Sequence, residues 1–126
     1  MPTDETVNVR YIVDDVAAAL DFYTTHFDFV PGIVAAPAFA DATRGNLRIL
    51  LSGPQSSAGQ AMTDGEVPQP GGWNRIHLIT PDLDAEVARL RAEGVTFRNE
   101  EVSGPGGRQI LVVDPSGNLI ELFQPA

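Results

Sequence analysis

The sequence predicts an α+β fold made of two βαβββ modules in tandem. Three observations lead there. The first is the stretch Asp114-Pro115-Ser116-Gly117-Asn118, which is turn chemistry: Pro115 presets φ, while Gly117 and Asn118 tolerate positive φ. The run Leu119 to Phe123 that follows alternates like a β-strand, with Leu119, Glu121 and Phe123 on one face and Ile120 and Leu122 on the other. The second is an internal echo. Gly45-Asn46-Leu47-Arg48-Ile49-Leu50-Leu51 matches Gly117-Asn118-Leu119-Ile120-Glu121-Leu122-Phe123 position by position, with Ile49 where Glu121 stands. The third is that both halves set a strand and an aspartate-headed helix before these frames.

In the first half, Val7 to Val13 reads as a strand by its β-branched and aromatic content. Its core face would be Val7, Val9, Tyr11 and Val13, leaving Asn8, Arg10 and Ile12 on the other side. Asp14-Asp15 offers N-cap chemistry for a helix to about His26, burying Val16, Ala19, Leu20, Tyr23 and Phe27 at helical spacing. His26, in the last turn, suits the helix dipole and reads as structural or exposed. Strands follow over Phe29–Ala36, with Pro31 marking an edge or bulge, then Ala38–Ala42 and Leu47–Leu51.

From Ser52 to Gly72 the chain carries five glycines, three prolines and three serines with little periodicity, which reads as a connecting loop, mobile or lid-like. The second half repeats the order. Asn74–Thr80 is a strand, and Asp82 caps a helix whose core face is Leu83, Val87 and Leu90. Gly94 ends that helix. Val95–Arg98 leads into the next strand region, Gly104-Pro105-Gly106-Gly107 turns, and Arg108–Val113 returns to the final turn and strand.

Composition excludes several classes. Apolar residues make up 43% of the chain, enough for a packed core, and there is no cysteine for a disulfide, thiolate site or thiol nucleophile. The net charge of −9, with arginine as the only basic residue type besides histidine, argues against nucleic acid or an anionic membrane as partner. No apolar run approaches the roughly 20 residues of a membrane span, and Met1-Pro2-Thr3-Asp4-Glu5 lacks a signal peptide's basic start. The expected location is the cytoplasm. A phosphate-binding loop is also excluded, because the glycines at 104–107 precede a strand and no lysine follows.

With a strand leading into Val13-Asp14-Asp15, then Phe22-Tyr23, echoed by Pro81–Asp84 through Glu93-Gly94-Val95, and with Asp114–Leu122 closing the chain, the sequence resembles the vicinal oxygen chelate superfamily. That group covers glyoxalase I, extradiol dioxygenases, fosfomycin-resistance enzymes and bleomycin-resistance proteins. The resemblance implies one domain, 1–126, of paired modules (5–52 and 73–126, joined by 53–72). Their curled mixed sheets would surround a central cavity, commonly in a homodimer. It also implies a divalent metal bound by one residue from the first and one from the last strand of each module, usually His or Gln and Glu.

Carried over singly, those positions are Asn8, Ile49, Arg75 and Glu121. Only Glu121 is a normal ligand: Asn8 is weak, Ile49 has no donor, and Arg75 repels a cation. A shift of register would bring in His77, giving two good ligands where catalytic sites usually take three from protein. No cofactor is therefore expected, a metal being retained only under that shift.

Arg75 and Glu121 would form a charge-assisted pair with His77 facing the same way. One reading is a buried ion pair and a hydrogen-bonded histidine closing a polar cavity floor. In another, Arg75 holds an anionic or carbonyl oxygen while His77 or Glu121 acts as acid or base. In a third, the same groups bind a ligand without turnover. Asn8, Arg10, Phe39, Ile49, Trp73 and Phe123 would line the pocket, Trp73 being the best stacking candidate. Three functions compete: a metal-free binding protein that sequesters a small aromatic or cationic molecule, a metal-independent lyase or isomerase of detoxification or secondary metabolism, and a metal-dependent lyase or dioxygenase.

Overall fold

The computed structural model describes residues 5–126; residues 1–4, on which the signal-peptide argument falls, lie outside them. The chain divides into two compact units, one ending at Pro70 and the other Gly71–Ala126.

The first unit runs β1 (Val7–Ile12), α1 (Val16–His26), β2 (Val30–Ala35), β3 (Phe39–Arg44) and β4 (Leu47–Ser52), with sheet order β1-β4-β3-β2. Asp15 caps α1 through its carboxylate, which accepts from the Ala18 N–H at 3.0 Å. The helix stops at Phe27, and Asp28 turns the chain in the left-handed region, which Asp tolerates better than most residues. Tyr11 of β1 meets Tyr23 of α1, so the Val9–Tyr11–Val13 face is the one under the helix. Val7, at the strand's open end, is exposed instead of buried. Phe22 is buried on α1 where Leu20 was expected, because it closes on Tyr23, His26 and Phe27.

β2 is an edge strand with a bulge. Its register against β3 slips between Pro31 and Val34, so that Gly32 and Ile33 both oppose Asp41. The Asp41 carboxylate fills the gap: Oδ1 accepts from the Ile33 N–H at 2.9 Å and Oδ2 from Arg48 Nε at 3.1 Å. A Cβ at position 32 would collide with that carboxylate. Asp41→Ala is therefore expected to cost about 2–3 kcal/mol, since it strips Arg48 of its ion partner and the bulge of its acceptor. Urea unfolding measures this; a loss below about 0.5 kcal/mol would mean the bulge stands without the carboxylate.

The segment after β4 is less irregular than its composition implies. Gly53 N–H bonds to Ala38 O, Ser56 caps a short 3-10 turn over Ser57–Gly59, and Met62 and Glu66 close a further turn.

The second unit runs β5 (Ile76–Ile79), α2 (Leu83–Ala92), β6 (Thr96–Phe97), β7 (Val102–Gly104), β8 (Gly107–Val113) and β9 (Leu119–Pro125). Its sheet order is β5-β9-β8-β6, with β7 also on β8. This repeats the first unit, with two short strands where β2 stands. They are separate because the Asn99 side chain, not a strand backbone, accepts the Leu111 N–H at 2.9 Å. Asp82 caps α2, and Gly94 ends it at positive φ, as the sequence predicts. Ile76, Leu78, Ile110, Val112, Ile120 and Leu122 are buried on the helix side. Val87 is only half-buried.

Candidate functional site

The site begins with the loop between β8 and β9. Asp114 Oδ1 accepts the N–H groups of Ser116 and Asn118 at 2.9 Å each, and Asn118 returns its amide to Oδ2. The Asn118 side-chain oxygen then accepts the Gly71 N–H at 2.8 Å. Gly71 and Gly72 both take positive φ there. The turn motif thus fixes the approach to β5, and with it Trp73 and Arg75.

On β5 and β9 the parallel register sets His77 opposite Glu121 and Ile79 opposite Phe123. Leu111 faces Glu121 from β8, and Val113 faces Leu119. These residues alternate with the buried Ile76, Leu78, Ile120 and Leu122, so they lie on the face away from α2. Arg75 Nε and Nη2 both donate to Glu121 Oε1, at 3.0 and 2.8 Å, and Arg75 Nη1 donates to the Trp73 carbonyl. His77 Nε2 lies 3.3 Å from Glu121 Oε2, and its ring rests on Phe123 at 4.8 Å. The Glu121 side chain is 9% exposed and that of His77 44%. A desolvated carboxylate thus holds a guanidinium on one oxygen and faces an imidazole that solutes can reach.

Of the residues singled out from sequence, Arg75, His77, Glu121 and Phe123 come together, with Trp73 adjoining. Trp73 is 65% exposed, and the Arg98 guanidinium lies 5.5 Å over its ring. In the first unit, Arg10 donates to Ser52 Oγ at 3.0 Å, and exposed Asn8 lies on the same face of β1. Half-buried Phe39 pairs with Ser52 on that side too. Ile49 does not join them. It pairs with Val9 and Ala42 on the helix side and is fully buried, so it is core and not a pocket wall. Leu50, opposite Arg10, occupies the open face instead.

Two features escaped sequence reasoning. One is the Asp41–Arg48 pair; the other is Arg98. Alternation through Thr96-Phe97-Arg98 was the available signal, since it puts Phe97 toward α2, where Arg91 covers it, and Arg98 on the other face.

Residues 6–122 match the Glyoxalase/Bleomycin resistance protein/Dioxygenase superfamily. The chain belongs to that superfamily. It is also similar to an uncharacterized protein of Mycobacterium bovis, 33% identical over 131 residues that cover 97% of this chain and 84% of the other. Among solved structures, a superfamily member from Sphaerobacter thermophilus is 28% identical with a TM-score of 0.74, covering 94% of this chain and 95% of that one. TnmS3, an antibiotic-binding protein from a Streptomyces species, is 26% identical with a TM-score of 0.72, covering 100% and 99%.

Against the metal set implied by the superfamily, the side chains present do not fit a divalent ion. Arg75 sits where a ligand would and donates twice to the one normal ligand, Glu121. Ile49 points into the core, and among the described residues no three His, Asp or Glu side chains form a ligand group.

Proposed function

We propose that this superfamily member binds a small organic molecule without a metal, on the face carrying Arg75, His77, Glu121 and Phe123, in a sequestering or resistance role. The observation that carries it is the double engagement of Glu121, one oxygen by Arg75 and the other facing His77. A carboxylate so occupied offers polar recognition without an ion. The likeness to antibiotic-binding TnmS3 supports the same reading.

The test is a thermal-shift titration with Zn, Ni, Mn and Fe(II), run beside an NMR screen of small organic compounds. No metal should raise Tm, and hits should move the His77 and Glu121 resonances. A saturable, stoichiometric metal shift, or compounds that bind only elsewhere, would overturn it.

A second reading is a metal-independent lyase or isomerase. It is favoured by one observation: an accessible imidazole 3.3 Å from a buried carboxylate is the pairing that a general base needs. His77→Ala separates the two. If ligand binding survives while turnover disappears, His77 is catalytic; if no turnover exists to lose, the binding reading holds.

We place the chain in the cytoplasm as a homodimer. Among the described residues no helix is long and apolar enough to cross a membrane. Edge strand β2 exposes Val30, Ile33 and Val34, an apolar rim suited to a second copy. Light scattering that gives the mass of one chain would overturn the dimer.

A further inference from the structure

A cavity of about 280 Å³ lies beside the Arg75–Glu121 pair, lined by Gly72, Trp73, Arg98, Val113, Gly117 and Leu119. Its floor is the Val113–Leu119 pair, two places along β8 and β9 from Leu111–Glu121 and on the same face. Its wall is the exposed Trp73 ring. At Gly72 and Gly117 no side chain stands in the mouth, and both take positive φ.

The charge at this cavity runs against that of the chain. The protein carries −9 overall, yet no carboxylate lines the cavity. Of the acids beside it, Asp114, next to Val113, is taken up by the Ser116 and Asn118 N–H groups, and Glu121 is paired with Arg75. Arg98 differs from most of the other arginines: Arg48, Arg75, Arg89 and Arg108 have carboxylates, Arg10 has Ser52 Oγ and Arg44 the Phe27 carbonyl. Among the described residues the Arg98 guanidinium has only the Trp73 ring. An exposed contact of that kind is worth about 0.5–1 kcal/mol, so Arg98 remains available to a stronger partner.

We infer that this cavity takes the aromatic end of a planar aromatic anion, its ring on Trp73 over Val113 and Leu119 and its carboxylate on Arg98. This names the ligand class of the face described above and rests on that reading. An anion gains a forked, charge-assisted partner here, while a cation of the same shape meets the Arg98 guanidinium. Of the two ligand classes expected from sequence, aromatic or cationic, this keeps the aromatic one and replaces the cation with an anion.

Trp73 is the one tryptophan, so its indole N–H gives a single NMR resonance that reports the cavity directly. The probes are 2-naphthoate, 2-naphthalenemethanol and 2-naphthylmethylammonium, titrated into the full chain. Expected is a saturable shift of the Trp73 indole with 2-naphthoate, weaker with the alcohol and absent with the ammonium. Arg98→Gln should weaken 2-naphthoate about tenfold, with Arg98→Lys between. Because Arg98 is exposed, both variants should fold, as an unchanged spectrum away from the cavity would show. Equal affinity for ammonium and carboxylate, or no effect of Arg98→Gln, overturns the inference. Probes that move His77 and Glu121 but leave Trp73 still also overturn it, while the binding reading stands. Silence from all three overturns it without touching that reading, which the wider screen decides.

Discussion

Tyr23→Ala is expected to lower the unfolding free energy of the first unit by about 3–5 kcal/mol, the cost of emptying a large aromatic site in a packed core. Tyr23 is fully buried at the centre of a ring cluster. Phe22 meets it edge-on at 5.1 Å, Phe29 at 5.7 Å, Tyr11 at 6.3 Å and Phe27 at 6.5 Å. The same residue's carbonyl accepts the N–H groups of Phe27 and Phe29, which bring the chain off α1 toward β2. Removing the ring therefore opens a cavity shared by the strand before the helix, the helix itself and the exit after it. Urea unfolding followed by circular dichroism gives the number. A loss below 1 kcal/mol would mean that α1 is held by something other than this cluster.

Much of this was legible in the sequence because it depends on local chemistry. Asp15 and Asp82 can serve as caps wherever they are, Gly94 ends a helix by its φ, and Asp114–Asn118 bonds to itself before it bonds to anything else. Alternation likewise grouped His77, Glu121 and Phe123. What failed was long-range register. The two Gly-Asn-Leu frames match in letters, yet Leu47 and Ile49 face the helix while Leu119 and Glu121 face away from it. A two-residue turn joins Arg44 to Leu47, whereas five residues separate Val113 from Leu119, and the strands enter with opposite faces up. A period of two makes every such offset a change of face. Pro31 signalled the bulge in β2, but the Asp41 carboxylate that fills it and the break at Asn99 escaped for a related reason: in each, a side chain replaces a backbone partner that only the neighbouring strand defines.

Glu121→Ala is expected to cost about 2–4 kcal/mol of stability and to abolish ligand binding on its face. The stability term comes from Arg75. Its side chain is only 27% exposed and would lose the one carboxylate that compensates its desolvation. The residual exposure lets water reach part of the guanidinium, which favours the lower half of that range. Glu121→Gln should cost less, since an amide oxygen can still accept from Arg75. A double variant separates stability from function. Replacing both partners with apolar residues, Arg75→Met with Glu121→Leu, removes the desolvation of two charges along with their attraction, and such exchanges are often neutral or stabilising. The double variant should therefore recover most of the stability that Glu121→Ala loses and still bind nothing. Paired urea curves and ligand titrations on the three variants decide it. If the double variant binds as well as the parent chain, the Arg75–Glu121 pair is a structural brace and the binding site lies elsewhere. If it is no more stable than Glu121→Ala, the pair itself contributes net stability, and the case that it is kept for recognition fails.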